Sequence, residues 1–182
     1  MDKIIVPAIT MILVALVSSY LNKSIKKRVR SSLGGNFELK LHKLYWYMGI
    51  SFISLGCVGF LAAGLTIKDG NEWVIGSAFL ILFGGLGYIS AIWYVNHSVH
   101  FNSNRIEAIS VYKKGVSMNW SDITSIKFNP LTGLLIFTNA HGKKIKAHQH
   151  LVGLGELLRM IAVQTPWNVD DLKLPFKYPK HD

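Results

Sequence analysis

Residues 111–128, VYKKGVSMNWSDITSIKF, alternate apolar and polar side chains over much of their length. Val116, Met118 and Trp120 share one parity, and Ile126 and Phe128 repeat the pattern after SerAsp. Successive strand residues point to opposite faces, so this spacing predicts half-buried strands of a sheet with one side in water. The same period extends outward. HSVHFN (97–102) sets Val99 and Phe101 on one face, and GLLIFTN, the turn NAHGKK and KIKAH continue the series downstream. The period then lengthens: Leu151, Leu154, Leu158 and Ile161 follow the i, i+3, i+7, i+10 stripe of an amphipathic helix. The expected plan is a β-meander closed by one helix, because strands with an apolar face need a partner surface. Trp120, Ile126, Phe128, Leu154 and Leu158 are its expected core. Trp120 is large enough to fill the gap between sheet and helix, and Ser121 and Asp122 suit a turn.

The N-terminal half is different. The chain has 182 residues, half of them hydrophobic and 16% charged, and its mean hydropathy is +0.30. Residues 4–21, 44–67 and 73–95 carry the apolar excess and contain no charged side chain. Each approaches or exceeds the roughly 20 helical residues needed to cross the hydrocarbon core of a bilayer. All three read as membrane-spanning helices. The first also has the length of a cleaved signal peptide, but a signal peptide carries its charge in front. Here NKSIKKRVR follows the apolar stretch, favouring a retained anchor.

Loop charge orients these spans. Residues 22–43 hold seven basic side chains against Glu38, a net of +6. The KDGNE loop is −1, and the chain after Val95 holds eleven basic residues against six acidic ones. By the positive-inside rule, the N-terminus and the 68–72 loop face outward and the C-terminal region faces the cytoplasm. The expected location is the bacterial inner membrane. The same bias accounts for the pI near 9.7 without nucleic acid. Lys26, Lys27, Arg28 and Arg30 are expected at anionic phospholipid headgroups, as non-specific contacts.

Spans two and three are joined by a few polar residues and so form an antiparallel hairpin. Small residues recur at heptad spacing in both: Gly49, Gly56 and Ala63, then Ser77, Gly84 and Ala91. Helices in lipid attract chiefly through close packing, so these positions form a candidate seam. Tyr45, Trp46, Tyr47, Trp73, Trp93 and Tyr94 flank the spans as interfacial anchors. No ionisable Asp, Glu, Lys, Arg or His lies inside a span, which disfavours a transporter or channel. The single Cys57 reads as a small core residue.

The segments KKGVSMNWSDITSIKF, GLLIFTNAHGKKIKAH and GLGELLRMIA together resemble the bacterial pleckstrin-homology-like domains found behind transmembrane helices in small membrane proteins of uncharacterised role. The resemblance rests on Trp120 before Asp122 and Ile123, a glycine-containing hairpin, and a Gly-Glu-Leu-Leu helix start. It covers about residues 97–164 and implies an α+β membrane protein: three transmembrane helices followed by a strongly bent sheet or barrel with a C-terminal capping helix. The expected divisions are an anchor helix (1–21), a basic cytoplasmic connection (22–43), a transmembrane hairpin (44–95), the β domain with its helix (96–164), and a Pro/aromatic tail (165–182).

Lys113, Lys114, Lys143, Lys144 and Lys146 are the lipid- or anion-facing candidates of that domain. Lys144, Lys146, His148 and His150 share strand parity, forming either an anion-binding stripe or a solvated face. The pairs His97/His100 and His148/His150 lack the further ligands a metal needs, so no metal or cofactor is expected. Hydrolase, zincin, Walker and dinucleotide motifs are absent. A non-enzymatic role is expected: binding or assembly with a protein partner, as an accessory subunit, with a homo-oligomer as a further expectation. The alternatives are an immunity protein neutralising a membrane-acting toxin and, third, a small-solute transporter or channel component. The tail, with Trp167, Phe176 and Tyr178, either wraps the domain or offers a docking segment.

Overall fold

The computed structural model describes residues 35–65 and 71–175, together with Ser19. Apart from Ser19, the first apolar segment lies outside these residues, as do the basic cluster Lys26, Lys27, Arg28 and Arg30 and Phe176 and Tyr178 of the tail. The architecture is α+β, with two antiparallel sheets. Its elements divide into two compact units.

One unit holds the sheets. Four strands, β1 (Phe37–Lys40), β2 (Ser98–Phe101), β3 (Arg105–Ile109) and β4 (Gly115–Asn119), pair in sequence order. The other three, β5 (Ile123–Asn129), β6 (Leu134–Asn139) and β7 (Lys144–His148), form a second sheet in the same way. Register explains the burial. Phe37, Phe101, Ile106 and Met118 form one row across the first sheet and Leu39, Val99, Ala108 and Val116 another. The intervening row, Glu38, His100, Glu107 and Ser117, is polar. In the second sheet Ile126, Phe137 and Ile145 align, beside Phe128, Leu135 and Ala147. The strand β7 packs against β3 and β4. The two sheets remain separate ladders, so the barrel allowed by the resemblance does not close.

Asparagine sets three of the turns. The Oδ1 of Asn102 accepts from the N–H groups of Asn104 and Arg105, Asn129 Oδ1 from Leu131 and Thr132, and Asn139 Oδ1 from His141 and Lys143. A short side chain that bonds backbone one to four residues ahead competes with strand pairing and turns the chain.

The segment 111–128 is not one run of strand. It begins in the β3–β4 turn, continues as β4, breaks at a 3-10 turn (Trp120–Asp122) and resumes as β5 in the other sheet. Trp120 is 3% exposed. Its Nε1 donates to Asn102 O at 2.8 Å, and its ring meets Phe101 edge-on at 6.5 Å. The C-terminal helix contacts this turn. That helix, Leu154–Gln164, buries Leu154, Leu157, Leu158 and Ile161. Of the expected core, Trp120, Ile126, Leu154 and Leu158 are buried, whereas Phe128 is half-buried. Val169 and Leu172, in a 3-10 turn at Val169–Leu172, are buried against the domain, so this part of the tail wraps.

The other unit comprises Leu41–His97 with Ser110–Lys114. Helix α1 (Leu44–Leu65) and a second helix form an antiparallel hairpin; the latter runs as α2 (Asn71–Phe79), a π-helical turn (Leu80–Gly84) and α3 (Gly85–Asn96). Both are long and apolar enough to cross a membrane, and only 11% of the most apolar window of each is buried within the protein. A core helix of a soluble protein would be mostly covered.

Strand β1 was read from sequence as part of the 22–43 connection. Lys40 instead pairs with Ser98, directly across the whole 41–97 excursion. Because β1 and β2 hydrogen-bond to each other, the chain leaves and re-enters the sheet at neighbouring positions. If one helix crosses a membrane, so does the other.

Candidate functional site

The interior of the hairpin is built from glycine. A Cβ placed on Gly87 would stand 2.5 Å from Gly49 O and 2.8 Å from the Ile53 nitrogen, and one on Gly56 would stand 2.9 Å from the Gly84 nitrogen. Real Cβ atoms do not approach backbone so closely, so only glycine permits this spacing. Gly49, Gly56, Gly84 and Ala91 therefore lie along the contact, as does Ala63. Opposite Ala63 stands Gly76, one residue before the expected Ser77. The π turn gives the reason. At about 100° per residue a seven-residue step nearly returns to the same face and an eight-residue step overshoots it. The wider turn at Leu80–Gly84 absorbs the additional residue between Gly84 and Gly76. Ser77 instead lies with Trp73, Val74, Ala78 and Ile81 along an apolar surface groove. Cys57, expected inside, is exposed. Ring pairs Trp46–Tyr94, Phe52–Phe83 and Phe60–Trp73, at 6.0, 6.3 and 5.3 Å, mark successive levels of the hairpin.

At the Trp46–Tyr94 end the unit gains the β3–β4 turn. Asn96 Nδ2 donates to Val111 O at 2.8 Å, fastening the turn to the last residue of α3. Ser110 N donates to Lys114 O at 2.9 Å, and Lys113 N to Ser110 O at 2.8 Å. This is a three-residue hairpin loop whose last position needs a left-handed backbone, the usual place of glycine. Lys113 occupies it with φ 58°. Tyr112, at the tip, is 83% exposed. Replacing Lys113 with glycine is expected to stabilise the fold by about 0.5–1 kcal/mol, the left-handed cost relieved less the entropy glycine loses on folding. A chemical denaturation midpoint that falls would contradict this geometry.

Lys43, Lys113 and Lys114 are exposed at this end, and its segments 41–50, 90–97 and 110–114 contain no acidic residue. Lys144 and Lys146, in the sheet unit, lie on the outer face of β7, where Lys146 and Lys127 flank Ile136 in register. Lys143 Nζ instead donates to Ser117 O at 2.8 Å. The proposed parity fails at His148. It is 8% exposed, its Nδ1 accepts from His150 N, and the two rings stand 5.1 Å apart. Among the described residues no group of three or more His, Cys, Asp and Glu side chains gathers to hold a metal. The polar cleft lined by Asn36, His100, Asn102, Arg105 and Glu107 is open, with a volume of about 250 Å³.

The comparisons with protein-family models, curated proteins and solved structures return no match. Sequence reasoning passed over Tyr112 and β1. The second had a signal: Phe37, Leu39 and Leu41 alternate with Glu38, Lys40 and His42.

Proposed function

We propose that this chain is a multi-pass protein of the bacterial inner membrane whose pleckstrin-homology-like domain stands at the cytoplasmic face and serves binding or assembly with a protein partner rather than catalysis. The observation that carries the reading is the placement of an apolar helical hairpin between two paired strands, β1 ending at Lys40 and β2 starting at Ser98. A domain tied at both ends of a membrane hairpin is held at the bilayer surface, where recruitment needs only a lateral encounter. The lysines at the Trp46–Tyr94 end support a cytoplasmic orientation by the positive-inside rule. The pleckstrin-homology-like assignment is supported by four-plus-three antiparallel strands followed by a helix.

Two measurements on the full chain test this proposal. Membranes washed in alkaline carbonate should retain it, and release into the supernatant would end the membrane reading. Crosslinking in cells, with a photoreactive residue at the exposed positions Leu131 or Val163, should yield one reproducible heterologous adduct. Adducts only to lipid or to the chain itself would contradict a protein-binding role.

A further inference from the structure

The β3–β4 turn combines features that a solvated loop does not need. Its tip is an aromatic side chain almost fully exposed, Tyr112. The next two residues are lysines, and the first of them holds a left-handed backbone at a position where glycine costs less. The turn is fixed by Asn96 to the end of a helix of membrane-spanning length, beside Trp93 and Tyr94. Tyrosine favours the headgroup layer because its ring is apolar and its hydroxyl is not. Lysine there gains from anionic lipid.

From this we infer that the turn Ser110–Lys114 is a second, non-spanning membrane anchor: Tyr112 enters the headgroup layer, and Lys113 and Lys114 bind anionic phospholipid phosphates beside the hairpin. The inference rests on the membrane reading proposed above and adds to it a site, residues and a ligand class. It needs no new conformation, since Asn96 already holds Val111 at the helix end. The backbone strain at Lys113 has a purpose in this arrangement. Glycine would relax the turn and remove one of the two charges. The occupant is a lipid surface rather than a protein because the turn's anchor point is the helix end itself, where headgroups lie. The positive charge of Lys43, Lys113 and Lys114, exposed on segments that contain no acidic residue, complements an anionic leaflet.

The test uses the intact chain in three media: neutral detergent, vesicles of phosphatidylcholine, and vesicles of phosphatidylcholine with phosphatidylglycerol. Acetylation of lysines by a water-soluble reagent is followed by mass spectrometry, with the exposed Lys127 as reference. Lys113 and Lys114 should react several-fold more slowly, relative to Lys127, in the anionic vesicles than in detergent, and to an intermediate degree in phosphatidylcholine. Tyr112→Ala should remove much of that protection. For the Lys113→Gln and Lys114→Gln variants, the residual lysine's protection should fall, by about fivefold in occupancy per charge lost. Equal rates in all three media would overturn the inference. So would protection that persists in neutral detergent, which would mark a contact between proteins. The same vesicles are washed with alkaline carbonate. Retention of the chain with unprotected lysines sinks the turn alone, while release sinks the membrane reading as well.

Discussion

Replacing Trp120 with alanine is expected to lower the stability of the sheet unit by about 3–5 kcal/mol, as for large aromatic-to-alanine changes in cores. The residue joins several supports at once. It sits at the break where the chain passes from β4 to β5 and so from one sheet to the other. The C-terminal helix contacts that turn, and Phe101 meets the indole edge-on. Removal leaves a cavity that the surrounding strands cannot readily close, and it leaves Asn102 O without its Nε1 donor. Against a typical domain stability of about 5–15 kcal/mol the loss is a large fraction of the whole. Trp120→Phe separates the two contributions. It keeps most of the volume and should cost roughly 1–2 kcal/mol more than a pure volume change, from the lost hydrogen bond. Denaturation of the full chain in mild detergent, followed by near-ultraviolet circular dichroism, reads both. An alanine variant with an unchanged midpoint would show that Trp120 is not the junction described.

The second large effect is expected at Gly87. Valine there places atoms where Gly49 O and Ile53 already stand, so the helices must separate. Overpacking of this kind costs about 1–3 kcal/mol, and in lipid no hydrophobic drive compensates a lost close contact. Gly85, two residues earlier, is the control, because a Cβ built on it meets nothing within 4 Å. Titration with sodium dodecyl sulfate should therefore unfold the Gly87→Val hairpin at a clearly lower detergent fraction, with Gly85→Val close to the parent. Equal behaviour of the two variants would mean that the glycines are not a packing seam.

Much of this was legible in the residues because it depends on short-range pattern. Apolar runs without charge marked both helices of the hairpin, and asparagine and glycine marked the β6–β7 turn. The stripe Leu154, Leu158 and Ile161 marked the closing helix. What escaped depends on pairing across long separation or on geometry within a helix. The four-residue β1 carries its own alternation, but its membership in a sheet is decided by Ser98–Phe101, nearly sixty residues away. The choice of Gly76 over Ser77 is decided by a π turn that no residue type announces. Tyr112 and Lys113 lay within a stretch whose parity suggested strand, and only the hydrogen bonds of Ser110 reveal a loop. The basic residues were found individually. Their division into an outer sheet face and a helix-end turn required the register.

The central claim is that residues 41–97 cross a bilayer twice and return to the sheet from which they left. It is tested most directly by single cysteines on a Cys57→Ser background, at Asp69 between the helices and at Leu131 on the β5–β6 turn. An impermeant maleimide added to intact cells should label Asp69→Cys and spare Leu131→Cys until the membrane is opened. Labelling of both positions from the same side would contradict the account.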